Sequence, residues 1–273
     1  MSRLGACFDA LRTHGRRALV TYITAGDPAP QSTAGLLHAL AESGADILEL
    51  GVPFSDPTAD GAAIQAAHER AIAHGVRLAD ALDMVADFRR TNDTTPIVLM
   101  GYLNPIEAMG AAAFADAAAA AGVDGVIAVD LPPEEAEPLR ALLRERGLDL
   151  IFLIAPTTTA ARMARIAEIA SGFIYYVSLK GTTGAGHLDT AAVADKLADI
   201  HARTELPVAA GFGVRNGAAA AALAPVADAV VVGSALIERI VAADNDAARC
   251  HAAGDFVGEL RAALDKAMTA TAV

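Results

Sequence analysis

Three carboxylic acids crowd into one short run, ILELGVPFSDPTADG (47–61): Glu49, Asp56 and Asp60. The run contains no Lys or Arg to neutralise them. Like charges repel, and each resists burial, so either all three are solvated or at least one is held for chemistry. Glu49 ends an apolar stretch that reads as a buried strand. Side-chain alternation puts Ile47, Glu49 and Gly51 on one face and Leu48 and Leu50 on the other. If the first face points into a barrel near its mouth, Glu49 meets an apolar lining, and desolvation pushes its pKa up. Such a carboxyl can donate and accept protons near neutral pH; a solvated Glu at a strand end is the plainer alternative. Asp60, just ahead of Gly61, is either the cap of a helix starting near Ala62 or a second reacting carboxylate, and local spacing leaves both open. Asp56, in SDP, reads as a turn residue.

A second group of signals is built from glycine. KGTTGAG (180–186), GFG (211–213) and the pair Gly233–Ser234, which opens a short helix, each follow an apolar run. Glycines let backbone N–H groups approach an anion, and a helix N-terminus adds a favourable dipole. Together they predict a phosphate grip in the last loops of a barrel. Lys180 could form a Schiff base with a carbonyl substrate, but a lysine among loop glycines reads first as solvated. His68, His74 and His187 lack metal-ligand spacing and receive no role, and no Ser-His-Asp arrangement can be argued. Cys7 and Cys250 lie near opposite ends without CxxC spacing, which predicts free thiols and no metal.

These groups need elements to position them. Strands are expected at 18–24, 46–51, 96–101, 125–129, 149–154, 173–178, 206–211 and 228–233, apolar on both faces as in a covered parallel sheet. Helix patterns lie between them at 31–43, 62–91, 105–121, 134–146, 159–170, 190–203, 216–224 and 246–269. An extra helix is expected over 2–14, and a short one from 234. Alternating β/α units without a long linker predict a single (β/α)8 TIM barrel domain over residues 1–273. A doubly wound sheet would need a dinucleotide turn, and the nearest approach, GFGVRNG (211–217), has its third glycine one position late. Acids outnumber bases by 33 to 21, and the net charge of −12 argues against nucleic acid or an anionic membrane as partner. The first residues lack the apolar core of a signal peptide, and no apolar run is long enough for a membrane span, which predicts a cytoplasmic protein.

Taken in order, YITAGDP (22–28), ELGVPFSDPTADG (49–61), MGYLNPI (100–106), VDLPPEE (129–135), LIAPTT (153–158), GTTGAG (181–186), GFGV (211–214) and VVGSALI (231–237) resemble the α subunit family of tryptophan synthase over essentially the whole chain. The resemblance implies retro-aldol cleavage of indole-3-glycerol phosphate to indole and glyceraldehyde 3-phosphate, with no metal or organic cofactor in this chain. It implies Glu49 as the proton shuttle and Asp60 as the carboxylate facing the indole nitrogen. Carried over likewise are Tyr175 and Thr183 near the catalytic carboxylates, Tyr22, Met100 and Leu153 around the ring, and Gly184, Gly213, Gly233 and Ser234 for the phosphate. Asp56, Pro53 and Pro132 would face a pyridoxal-phosphate-bearing β subunit in an α2β2 heterotetramer, with Tyr102, Asn104 and Asp130 around the site and that surface. The chain departs from the family pattern at Thr58 and Ala62, where Leu and Pro are common, at Thr21, where Pro is common, and at Thr182, where Val is usual. Without proline at 62, the loop ahead of it is expected to be looser.

Overall fold

The computed structural model describes residues 2–177, 190–211 and 213–271. Its strands are β1 (Ala18–Thr24), β2 (Ile47–Gly51), β3 (Ile97–Gly101), β4 (Gly125–Ala128), β5 (Asp149–Leu150), β6 (Phe152–Ile154), β7 (Ile174–Val177), β8 (Val208–Gly211) and β9 (Ala229–Val232). They form one sheet in the order β5-β4-β3-β2-β1-β9-β8-β7-β6, with every pair parallel. The two ends of that order are successive pieces of one strand. The chain passes from β5 to β6 through Ile151, whose N–H still donates to Val126 O at 2.9 Å. Nine segments therefore fill eight strand positions, and the sheet closes into a (β/α)8 barrel.

The strands are apolar on both faces because both faces are covered. Leu19, Ile23, Leu48, Leu50 and Leu99 point outward into the core shared with the helices. Val20, Ile47, Val98, Ile127, Ala209, Ala229 and Val231 fill the barrel interior. Helix α1 (Arg3–Thr13) is the expected extra N-terminal helix. It sends Leu4, Phe8 and Leu11 into that interior cluster, and Phe8 packs on Phe173 with ring centroids 5.9 Å apart. Those contacts lie at the strand starts, so α1 plugs the N-terminal end and leaves the C-terminal mouth for chemistry. Arg3 fixes the plug by donating to Asp124 at 2.9 Å, and Arg89 reaches the same carboxylate at 2.7 Å.

The outer helices are α2 (Ser32–Glu42), α3 (Ala62–Ala73), α4 (Leu78–Arg89), α5 (Leu103–Met109), α6 (Ala111–Ala121), α7 (Glu137–Glu145), α8 (Ala160–Ile169), α9 (Thr190–His201), α10 (Gly217–Leu223), α11 (Ser234–Val241) and α12 (Asp246–Thr271). Two of the expected helices are each divided in two. The 62–91 pattern breaks into α3 and α4 around Gly75, at φ 77°, and the 105–121 pattern breaks at Gly110, at φ 90°. Both glycines adopt a left-handed backbone that ends one helix and redirects the next. Apolar periodicity runs through such breaks, which is why it does not reveal them.

Candidate active site

Strand β2 carries Glu49 into the barrel on the same face as Ile47, and the carboxyl is fully buried. Neither Oε1 nor Oε2 has a hydrogen-bond partner among the described residues. Burial raises its pKa from 4.5 to about 8, with no donor to oppose the shift. At neutral pH the group is mostly protonated, and it sits where it can exchange that proton.

Tyr22 on β1 is the register partner of Glu49. Its ring lies over Gly51, where a Cβ would come within 2.0 Å of the Tyr22 hydroxyl. The same device recurs across the mouth, where a Cβ on Gly211 would come within 2.4 Å of the Tyr175 hydroxyl. Both glycines end their strands on the inner face, and both phenols depend on the missing side chain. Tyr22 is held well above the usual tyrosine range by burial first, then by Asp60 and, more weakly, Glu49, against an opposing hydrogen bond from Thr24. Tyr175 is raised well above it by burial, then by Glu49, Tyr22 and Asp60. Both carboxylates therefore act on the same two phenols, which places them at one mouth. Met100 and Leu153 are partly buried and pack against the inner cluster, and Met100 also touches the group formed by Tyr22, Ala67 and Ile237.

Asp60 stands in the loop between β2 and α3. It does not cap the helix: Gly61 is the N-cap residue, with no side-chain cap bond. The Asp60 carboxylate accepts from Tyr102 Oη at 2.8 Å. Burial raises the Asp60 pKa, and the Tyr102 hydrogen bond works in the opposite direction. Tyr102 also accepts from Ala59 N–H at 3.0 Å and stacks on Phe54 with centroids 4.8 Å apart. The loop is tied further by Phe54 N–H donating to His68 Nδ1 at 2.9 Å and by Gln65 Nε2 donating to Asp60 O at 2.8 Å. Ala62, where proline is common in the family pattern, begins α3 directly.

His68 is a site residue that sequence reading left without a role. It is buried on α3, and its Nε2 lies 3.6 Å from Asp60 Oδ2 and 3.4 Å from Tyr22 Oη. Desolvation lowers its pKa to about 4, so the contact with Asp60 joins a neutral ring to a carboxylate and is not an ion pair. The signal that could have found it is local. Ile64, Ala67, His68 and Ala71 make one buried stripe at helical spacing, and His68 is the polar member of that stripe.

The glycine group falls on the same side. Gly233 is the N-cap of α11, and a Cβ there would lie 3.4 Å from Tyr22 Cβ. Ser234 Oγ is 3.9 Å from the point a Cβ on Gly61 would occupy, so the start of α11 faces the Asp60 loop. Gly213, just after β8, is exposed at φ 65°, with open space above it. Thr183 and Gly184 lie outside the described residues, as do Lys180, Thr182 and His187. Of the residues assigned to a partner surface, Asp56 is exposed, Pro132 is half-buried and Pro53 is buried. Asn104 and Asp130 are exposed, and Asp130 accepts from Leu103 N–H at 2.7 Å, which fixes the start of α5. A cavity of about 560 Å³ lies beside the mouth, lined by Val129, Phe152, Leu153, Thr158, Arg162 and Ile166 among others. Glu49 and Asp60 do not line it, so the chemistry is placed by the strand ends and not by this cavity. Among the described residues no cluster of His, Cys, Asp and Glu could hold a metal ion, and no helix is long and apolar enough to cross a membrane.

A closed parallel barrel, plugged at the strand starts and holding a buried carboxyl on its inner face below the open mouth, defines the class of (β/α)8-barrel proteins whose chemistry sits at the C-terminal mouth. Comparison with known proteins narrows that class. The family model described as "Tryptophan synthase alpha chain" matches residues 8–265. The chain is 57% identical over 268 residues to the tryptophan synthase alpha chain of Thioalkalivibrio sulfidiphilus, covering 98% of this chain and 100% of that one. It is 55% identical over 267 residues to that of Burkholderia pseudomallei, covering 98% of each. The crystal structure of the Legionella pneumophila alpha subunit superposes with a TM-score of 0.91 at 43% identity, over 97% of this chain and 99% of that one. Tryptophan synthase from Mycobacterium tuberculosis, in an aminoacrylate-bound form, gives 0.87 at 38% identity over 97% and 100%. The chain belongs to the tryptophan synthase alpha chain family. It is, accordingly, a lyase of tryptophan biosynthesis.

Proposed function

We propose that this chain, acting as one barrel domain over residues 1–273, cleaves indole-3-glycerol phosphate to indole and glyceraldehyde 3-phosphate by means of Glu49 and Asp60. The observation that carries the reading is the buried, partnerless Glu49 carboxyl on the inner face of β2. Cleavage needs a proton delivered to C3 of the indole ring and a proton removed from the hydroxyl of the adjoining side-chain carbon. As the bond between those carbons breaks, the hydroxyl carbon becomes the aldehyde and the ring recovers its aromaticity as indole. A carboxyl poised near pH 8 can give the first proton and, as the carboxylate, take the second. Protonation at C3 puts positive charge on the ring nitrogen, and Asp60, held by Tyr102, supplies the opposing charge.

Tyr22, Met100 and Leu153 would hold the ring, with Tyr175 and Thr183 near the two carboxyls; Gly184, Gly213, Gly233 and Ser234 would serve the phosphate. The phosphate binds through backbone N–H groups and the α11 N-terminus, a local attraction strong enough to work within a chain of net charge −12. Indole would pass to a tryptophan synthase β subunit carrying pyridoxal phosphate, in an α2β2 cytoplasmic assembly that Asp56 and Pro132 face; the burial of Pro53 removes it from that surface. Indole release from indole-3-glycerol phosphate, measured for the pure chain and for the chain with a cognate β subunit, tests the whole reading. Slow release alone and strong stimulation in the pair are expected. Binding without release in either sample would make the chain a non-catalytic subunit, and a borohydride-trapped adduct would make it a Schiff-base aldolase.

A further inference from the structure

His68 is absorbed by neither the phosphate grip nor the acid–base pair, yet it bonds one end of the loop that carries Asp60 and faces the other. A backbone N–H can only donate, so the Phe54 N–H pointing at Nδ1 from 2.9 Å requires that nitrogen to be a bare acceptor. The ring proton must then sit on Nε2. That atom looks toward two oxygens, Tyr22 Oη at 3.4 Å and Asp60 Oδ2 at 3.6 Å. Adding a second proton would set an N–H at Nδ1 against the Phe54 N–H, so the geometry itself keeps the imidazole neutral. The result is a fixed N–H dipole that reaches Tyr22 Oη and faces, at 3.6 Å, a carboxylate whose hydrogen-bond donor is the Tyr102 hydroxyl at 2.8 Å.

We propose that His68, as a neutral imidazole protonated on Nε2, is a positioning residue that sets Asp60 and Tyr22 against the ring-binding mouth while Nδ1 pins the loop at Phe54. The proposal rests on the role given to Asp60 above. It adds a specific division of labour between the two ring nitrogens, one for the loop and one for the carboxylate. A ring charged at Nε2 would neutralise Asp60 at the moment its charge is needed, whereas the neutral ring orients it and leaves the charge intact.

Two substitutions separate the nitrogens. In His68→Gln the amide nitrogen falls near the Nε2 position and can still donate toward Asp60. In His68→Asn the amide oxygen falls near Nδ1 and can still accept from Phe54, but the donor is lost. The assay is indole release from indole-3-glycerol phosphate by the chain paired with a cognate β subunit, with Asp60→Asn run in parallel and melting temperatures taken for every variant. His68→Gln is expected to stay within about threefold of the parent in kcat. His68→Asn is expected to lose on the order of 10- to 100-fold in kcat, the scale of a misplaced reacting group, with KM nearly unchanged. Should the Asn variant fail to fold, His68→Met, which also lacks the donor, takes its place with the same expectation. The proposal is overturned if the donor-less variant keeps the parental kcat, if Gln and Asn lose equally, or if the loss lies in KM or follows the melting temperature. A drop for Asp60→Asn with no drop for the donor-less His68 variant sinks this inference alone, and a parental Asp60→Asn sinks it together with the Asp60 role.

Discussion

Glu49→Gln should change how the stability of the fold depends on pH, and the size of the change follows from the burial of one carboxyl. In the unfolded chain the group titrates near 4.5, and in the fold it holds its proton to about 8. Between those values the native state binds more protons than the unfolded state, so stability falls as pH rises. Below 4.5 the group is protonated in both states and costs nothing. Above about 8 the full penalty has accrued, ~5 kcal/mol at ~1.4 kcal/mol for each tenfold change in proton affinity. Glutamine fills the same space and does not titrate. The stability of the Gln variant relative to the parent should therefore grow from about 1 kcal/mol at pH 5 to about 3 at pH 7 and about 5 at pH 9, on top of any constant offset. Asp46, Asp60 and Asp149 also have burial-raised pKa values, but they are common to both proteins and cancel. At ~2 °C per kcal/mol for a chain of this size, the gap in melting temperature should widen by roughly 8 °C from pH 5 to pH 9. Calorimetry of both proteins across that range reads it. A gap that stays constant with pH would mean that Glu49 is solvated or paired, and the acid–base assignment would go with it.

Glu49→Gln should also lower the rate of indole release by on the order of 10²–10⁴, and Asp60→Asn should lower kcat more than it raises KM, both read by steady-state kinetics. Thr21 is buried on β1, with an Oγ1 that has no partner among the described residues. Thr21→Val removes that orphan hydroxyl with little change of shape, so denaturant unfolding should show a gain of about 1–2 kcal/mol. Gly51→Ala places a methyl within 2.0 Å of the Tyr22 hydroxyl; the ring must move, at about 1–3 kcal/mol of stability, and KM should rise as the ring pocket deforms. In Gly213→Ala the added methyl meets open space, so the left-handed backbone alone sets the cost, about 1–2 kcal/mol in a thermal melt.

The barrel was readable because its strands are apolar on both faces, a pattern that only a sheet covered inside and out requires. Glu49 was readable for the same reason: strict alternation through Ile47, Glu49 and Gly51 leaves one face for the carboxyl once the strand is placed. The split of the fifth strand at Ile151 was not readable, because the residue is as apolar as its neighbours and still bonds to β4. Asp60 stayed undecided at the level of spacing, since a cap and a reacting carboxylate look alike locally. Its hydroxyl partner, Tyr102, lies 42 residues further along the chain, where no local pattern points. The contact of Gly51 with Tyr22 and that of Gly211 with Tyr175 were equally hidden, because each is a void on one strand filled by a ring from the next. His68 was legible in part. Its helical spacing with Ala67 and Ala71 shows in the sequence, but its partners Phe54, Asp60 and Tyr22 lie in the preceding loop and on β1, where helical periodicity does not point.

One physical effect, applied unequally, sets apart the two carboxyls to which different duties are proposed. Desolvation raises both Glu49 and Asp60. For Glu49 nothing opposes it: the surrounding β-strand residues offer hydrocarbon and two phenol rings, and both oxygens are left without donors. For Asp60 the hydroxyl of Tyr102, just past β3, donates directly and favours the ionised form, and His68 Nε2 faces the carboxylate at 3.6 Å. Position on the backbone decides the outcome. A residue in the middle of the inner face is surrounded by strands whose N–H groups are spent on the sheet. A residue in the following loop, by contrast, can be reached by a hydroxyl donor from the end of β3 and approached by an imidazole on α3. Moving a donor to Glu49 would lower its pKa, and removing the Tyr102 donor from Asp60 would raise that pKa further. The separation proposed here, Glu49 as proton shuttle and Asp60 as charge partner, thus follows from where a parallel barrel has hydrogen-bond donors to spare.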